Sequence, residues 1–517
     1  MRSTVALRRH VVRAAVAATL VTLAGPAWAQ TSLPQLEFAP VSKYNGAAGQ
    51  ARVLLQSLME SSKVAGLSVA VAVDGDVVWA EGFGFADLEN RVPVTPLTKF
   101  RIGSVSKPLT STAMALLHDE GKLDFDATIQ KYVPYFPIKQ WPVTVRQIAG
   151  HLGGIRTYDY ANYDRYKNEF VNIVNYNSVK DALNIFKDSP LDHQPGTKYL
   201  YSSFGFNLLS AAVEGASGEE YLDYVNRHVL APLKLRNTVA DFADVIIPYR
   251  TRFYARQADG QLVNAAYADL SSKWGGGGWL STPSDLAMWG AALIKPGFIK
   301  EATKREMWTV QKTTDGRETT YGMGFMVGKD AQGRRMVGHS GGSVGGTTIW
   351  EMYPDDGVVV AMTVNMSVSP MNAGTAETIA ELFLDARQPA QLASTATRAE
   401  GVYTFTATGA NGQKMSGTLE LTATGKGYVG RIVPSTVPAA SRERRSQDGS
   451  YAPPQSADIA VAGVTVNGDA VHVVGADANG FVHMRFTLRG DSVSGTWSGR
   501  GVTGALAGAR QRLAKAS

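Results

Sequence analysis

Cysteine is absent from the 517-residue chain. That excludes disulfides, thiolate chemistry and a lipidated N-terminal cysteine. Long apolar runs are absent beyond the N-terminus, so no later segment reads as a membrane helix. Histidines number only 8, and no two have ligand spacing, so neither a metal nor another cofactor is expected. Surplus basic charge is also missing from the body of the chain. The formal net charge is +6, but Arg2, Arg8, Arg9 and Arg13 face no acids in residues 1–29, which leaves +2 for the remainder. A nucleic-acid partner is therefore not expected.

The N-terminus has its own character. Its four arginines precede an apolar stretch, Ala14 to Leu23, and then Ala27-Trp28-Ala29. A charged segment, a short apolar core and a small-x-small site predict a signal peptide cut after Ala29 and an exported, periplasmic or secreted product with no transmembrane anchor after cleavage. Arg8-Arg9 leaves a twin-arginine route open beside the general one. A polar lead covers residues 30–46.

From residue 47 to 387 the pattern is that of one α/β layer domain. Ala47 to Val64 has helical spacing. Leu67 to Phe85 reads as a hairpin around Asp74-Gly75, a strong two-residue turn signal. Val143 to His151 and Phe204 to Ala216 read as helices, and Tyr158 to Asn177 as a polar, Tyr- and Asn-rich flap or connection. Trp274-Gly275-Gly276-Gly277-Gly278-Trp279 reads as a backbone-permissive loop, followed by a helix N-cap signature at Ser281-Thr282-Pro283. Arg335 to Gly338 is a strand running into His339. Thr347 to Tyr353 and Val358 to Val364 form a second hairpin, and Ala373 to Leu384 closes the domain as a helix. A hairpin at each end predicts one antiparallel sheet flanked by helices. Residues 388–400 read as a linker. From 401 to 517 the period is two with frequent Gly turns, as in a small all-β sandwich or barrel. Ser441 to Ala457 is a polar loop within it, and His472 and His483 read as surface or packing residues rather than ligands. No partner for this β domain can be named from sequence.

One chemical motif stands out. Ser104 and Lys107 are three residues apart at the start of an apolar helix, on one face of it. A serine hydroxyl needs a base to become a nucleophile, and a desolvated amine one turn away is such a base. A Ser-x-x-Lys match arises by chance about once or twice in a chain of this length, so the rest of the chain must decide. Acyl transfer also needs a proton donor and an oxyanion hole. Candidates follow in order: Tyr201 in Tyr201-Ser202-Ser203, then His339 in His339-Ser340-Gly341-Gly342. His151-Leu152-Gly153 is a rival His-x-Gly. Tyr160-Ala161-Asn162 and Tyr166-Lys167-Asn168 are rival Tyr-x-Asn matches.

With Phe100 to Lys107, Gly121-Lys122-Leu123-Asp124, Gly150 to Ile155, Gly276 to Thr282 and Gly338 to Gly342, the sequence resembles the serine β-lactamase and penicillin-binding family over roughly residues 47–386. It looks closest to the class C-like branch, with its carboxypeptidases, esterases and mitochondrial serine β-lactamase-like members. The resemblance implies an acyl-enzyme on Ser104, with Lys107 and Tyr201 moving protons and the Ser104 and Gly342 amides holding the oxyanion. It implies that His339 replaces the family's Lys, either donating to a substrate carboxylate or helping to polarise Tyr201. It implies a site lined by Ser340 and Gly341. Ser203 stands where the family carries Asn, with a shorter reach and fewer bonding sites. The expected substrate is a small molecule or peptide with an amide or ester bond, and β-lactam hydrolysis is expected to be weak. The alternative is a penicillin-recognising binding or scaffold protein with little turnover.

Overall fold

The computed structural model describes residues 41–159, 168–387, 399–409, 412–424, 427–435, 447–452, 458–478, 480–499 and 502–511. The expected signal peptide, most of the lead and linker, Tyr160-Ala161-Asn162 and Tyr166-Lys167 lie outside them. Among the described residues no helix is long and apolar enough to cross a membrane.

Alternating Val and Ala in Gly66–Val73 (β1) suit a strand buried on both faces. Asp74 and Gly75 then both take positive φ, 53° and 98°, as a tight hairpin turn requires. The chain returns as Asp76–Asp87 (β2), with Val73 facing Asp76 across the turn. Val92–Pro93 (β3) pairs at its edge. The far end supplies Met326–Lys329 (β4), Arg335–Ser343 (β5), Gly346–Tyr353 (β6) and Val358–Val364 (β7). The seven strands form one sheet in the order β3-β2-β1-β7-β6-β5-β4. β1 and β7 pair antiparallel, so the two ends of the domain meet at its centre as expected.

The two faces sort by strand period. Val69 and Val71 of β1, with Val360 and Met362 of β7, join the core beneath helices Asn45–Ser62 (α1) and Ala373–Asp385 (α5). Ala70, Ala72, Val359 and Ala361 join the larger core on the other side. There the helices are Ser106–Asp119 (α2), Ser203–Ser217 (α3) and Pro283–Ile294 (α4). Thr282 caps α4, its Oγ1 accepting from the Asp285 N–H at 3.2 Å; such caps contribute about 1 kcal/mol. Trp289 of α4 stacks on Trp350 of β6 at 4.2 Å.

The C-terminal residues close into an eight-stranded antiparallel barrel, from Gly401–Gly409 to Val502–Gln511. Met484, Phe486 and Leu488 point into its own core. Phe481, Val474 and Ala476 point outward and join the apolar cluster under α1 and α5. Arg485 pairs with Glu381 of α5 at 2.7 Å. The Thr378 hydroxyl donates to Gly374 O at 2.7 Å, so it accepts from His483 Nε2–H at 2.9 Å. His483 Nδ1 then accepts from His472 Nε2–H at 3.0 Å. Both histidines are therefore packing residues, and they help to seat the barrel on the sheet-and-helix layer.

One expectation fails. The glycine-rich stretch is no open loop: Trp274–Gly277 forms a short buried helix. A Cβ on Gly276 would stand 2.8 Å from Ser203 O, and one on Gly275 2.3 Å from Phe206 O. The glycines serve close packing against α3 more than backbone freedom.

Candidate active site

Ser104 sits in a single 3-10 turn, Gly103–Val105, that feeds α2. Lys107 is in the first turn of α2, fully buried. Its Nζ lies 2.8 Å from Ser104 Oγ, 2.9 Å from Ser203 Oγ and 2.9 Å from Gly276 O. Burial, then the charge of Lys273, holds its pKa well below the usual lysine value. A neutral amine has two N–H groups and one lone pair. Gly276 O can only accept, so one of the two hydroxyls must donate to the lone pair. Ser104 is the half-buried one of the two, and Ser203 is buried.

Ser203 is thus where the resemblance put it, on Lys107 at the start of α3. The first turn of α3 is fixed by Ser202, whose Oγ accepts from Gly205 N–H at 3.1 Å and donates to Arg156 O at 2.6 Å. Tyr201 precedes that cap and carries the Lys107 amine 4.7 Å from its ring centroid.

The strand β5 closes the other wall. A Cβ on Gly341 would stand 1.9 Å from Ile102 O, and one on Gly103 2.5 Å from Gly342 O. Only glycines allow the backbones of the Ser104 turn and of β5 to meet so closely. Gly103 has φ of 51°. Ser340 and Gly342 are exposed on one face of β5, while His339 and Gly341 are buried.

His339 is held from both ring nitrogens. Its Nδ1 lies 2.5 Å from Ser340 O, a pure acceptor, so Nδ1 carries the proton. Its Nε2 then accepts from the Tyr321 hydroxyl at 2.7 Å. Burial, then the Lys107 charge, lowers its pKa to about 3. The imidazole is neutral across the physiological range and has no proton directed at a substrate carboxylate.

Two residues gain importance. Tyr321 was missed; its signal was Tyr321-Gly322-Met323-Gly324-Phe325 just before β4. His151, ranked as a rival, sits inside the cluster, 4.2 Å from the Tyr201 ring and 4.6 Å from that of Tyr321. Its Nδ1 accepts from Ser202 N–H at 3.2 Å. Burial, then Lys107 and His339, keeps its pKa well below the ordinary value.

Arg101 and Lys273 frame the site from below. Arg101 is buried, paired with Asp241 at 2.7 Å, and its Nη1 donates to Val344 O at 2.9 Å. Lys273 donates to Phe170 O at 2.8 Å. Burial, then Arg101, lowers its pKa to about 7 against the opposing pull of Asp269.

The β-lactamase family model matches residues 51–412. The chain belongs to the β-lactamase family, which makes it in kind a serine hydrolase. It is 32% identical over 425 residues to the mitochondrial serine β-lactamase-like protein LACTB of Homo sapiens, covering 65% of this chain and 77% of that one. In fold it is similar to an octameric penicillin-binding protein homologue from Pyrococcus abyssi, with TM-score 0.57, 23% identity, and 89% and 99% of the two chains covered. A D-stereospecific amidohydrolase from Streptomyces sp. matches with TM-score 0.54 and 22% identity over 65% of this chain and 97% of its own.

Proposed function

We propose that this is an exported serine hydrolase of the class C-like branch that cleaves an amide or ester through an acyl-enzyme on Ser104. The observation that carries the reading is the buried Lys107 amine, 2.8 Å from Ser104 Oγ, with its pKa depressed. In the first step Ser104 Oγ attacks the carbonyl carbon and its proton passes to the neutral Lys107 amine. The oxyanion is held by the amides of Ser104 and Gly342. The C–N or C–O bond then breaks, and the leaving group takes a proton from the Lys107 and Tyr201 pair. Water next gives a proton to that pair and attacks the acyl carbon, and Ser104 leaves with a proton returned to its oxygen. Each half-reaction ends with the pair in its starting protonation state.

A peptidase or esterase is favoured over a dedicated β-lactamase. Ser203 spends its hydroxyl on Lys107 at 2.9 Å, and it lacks the second polar atom of an Asn amide. A panel of p-nitrophenyl esters, D-Ala-D-Ala peptides and β-lactams, each run against wild type and Tyr201→Phe, tests this. Esters or peptides should turn over at least about tenfold faster than β-lactams, and Tyr201→Phe should lower kcat by about 10²-fold or more. Faster β-lactam turnover, or an unimpaired Tyr201→Phe, would overturn it. Export rests on the N-terminal pattern alone; a mature product beginning at Gln30 is its test.

A further inference from the structure

One loop of the barrel touches the layer that carries the acyl-transfer site. Residues 447–452 stand between the barrel strands Gly427–Pro434 and Ile459–Asn467. They touch the catalytic layer at three points. Gln447 O accepts from Asn168 Nδ2 at 3.0 Å, and Tyr451 N–H donates to Arg256 O at 2.9 Å. Asp448 Oδ2 accepts from the Ser367 hydroxyl. The other carboxylate oxygen accepts from Ser450 N–H at 3.0 Å, which fixes the side chain in a local turn.

Ser367 passes this contact to the site. Its Oγ accepts from Gly345 N–H at 2.7 Å. Gly345 belongs to the tight connection between β5 and β6, which follows Ser343, the residue after Gly342, and closes with Ser343 facing Gly346. From the other side Arg101 holds the same connection through Val344 O at 2.9 Å. The connection is therefore clamped between a buried arginine under the nucleophile and a carboxylate from the barrel.

We propose that Asp448 is a positioning residue of the acyl-transfer site, contributed by the barrel, which fixes the Gly342 amide through Ser367 and Gly345. This rests on the reading of Ser104 as nucleophile and Gly342 as oxyanion donor. The physical reason lies in the serine hydroxyl. It has one proton and rotates freely unless that proton has a fixed acceptor. The Asp448 carboxylate takes the proton, so the oxygen lone pair stays on Gly345 N–H. Without the carboxylate the hydroxyl turns, and the connection after Gly342 loses one of its two anchors. A displacement of about 1 Å at a reacting centre costs ~10²-fold in rate. Asn168 adds a second link: its Oδ1 caps the turn Glu169–Val171, within which the Phe170 carbonyl holds Lys273. The barrel is seated independently through Arg485–Glu381, His483–Thr378 and an apolar patch, so loss of Asp448 alone does not undock it.

The test uses the full chain with Asp448→Ala, Asp448→Asn, Ser367→Ala and, as docking control, Glu381→Ala. Fluorophosphonate labelling rates, kcat and KM for p-nitrophenyl esters, and thermal midpoints are measured. Asp448→Ala and Ser367→Ala should each slow labelling by about tenfold to a hundredfold, with labelling still reaching completion and KM within about twofold. Asp448→Asn should recover most of the rate, because its amide oxygen still accepts the Ser367 proton. Glu381→Ala should lower the thermal midpoint and leave the labelling rate intact. Labelling of Asp448→Ala within about threefold of wild type, or an equal loss in Glu381→Ala, overturns the proposal. Ester turnover that survives Ser104→Ala would instead defeat the nucleophile assignment, so the two failures are separable.

Discussion

Replacing Gly103 by alanine probes the oxyanion geometry at its tightest point. Gly103 has φ of 51°, a region where a Cβ costs about 1–2 kcal/mol. The new Cβ would stand 2.5 Å from Gly342 O, 2.7 Å from its carbonyl carbon and 2.8 Å from its nitrogen. All three are backbone atoms, so no flexible side chain can yield. Ordinary contact begins near 3.4 Å, and β5 must retreat by about 0.9 Å to restore it. That retreat separates the Gly342 amide from the Ser104 amide. Oxyanion donors act at 2.7–3.1 Å, and losing one costs roughly 10²–10³ in kcat, about 2.7–4 kcal/mol. Gly103→Ala should therefore lower kcat on the order of 10²-fold, with KM within about threefold and the thermal midpoint down by about 2–4 °C. Stopped-flow hydrolysis of a p-nitrophenyl ester, normalised by active-site titration, reads this directly. Gly277→Ala is the control, since its Cβ would meet Gly103 at an ordinary 3.7 Å. Wild-type kcat in Gly103→Ala, or an equal loss in Gly277→Ala, would refute the reasoning.

The depressed Lys107 pKa fixes the sign of the pH dependence: only the neutral amine is a base, so acylation rises with pH through that pKa and is lost in acid. Lys273 contributes to the depression, so Lys273→Met should move the acid limb to higher pH; an unmoved limb in pre-steady-state acylation would contradict this. Buried Glu351 on β6 has its pKa raised to about 8, first by burial and then by Glu377. Its contribution to stability is full below the unfolded-state pKa and is lost as pH rises to about 8. Glu351→Gln should thus flatten the fall in unfolding free energy, read by urea titration, between pH 5 and 8 by a few kcal/mol, and parallel curves for variant and wild type would defeat that assignment.

The strands, hairpins and main helices were legible because each has one dominant period and a turn with its own chemistry. Asp74-Gly75 sets one hairpin, and Thr282-Pro283 starts α4 within a residue of expectation. The pair Ser104 and Lys107 was legible because both lie in one local turn, and Ser203 because it follows Tyr201 at the mouth of α3. What the sequence hid depends on distant chain segments. The neutral state of His339 follows from burial and from Lys107 of α2, and its Nε2 is engaged by Tyr321, which lies outside β5. The place of His151 follows from Ser202, 51 residues away. The glycine run between Trp274 and Trp279 misled because glycine signals both freedom and close approach, and only the packing of α3 tells which; the two tryptophans themselves are buried. The reach of Asp448 to Ser367, 81 residues apart, has no local pattern at all.

The most direct test of the central claim is to map a covalent adduct. The full-length chain is exposed to an activated fluorophosphonate and, separately, to a fluorescent penicillin, and the labelled peptides are sequenced by mass spectrometry. One stoichiometric fluorophosphonate adduct is expected on Ser104, abolished by Ser104→Ala and slowed by at least about 10²-fold in Lys107→Ala, with any penicillin adduct on the same serine. A folded protein that carries no adduct, or carries it on another serine, contradicts the account.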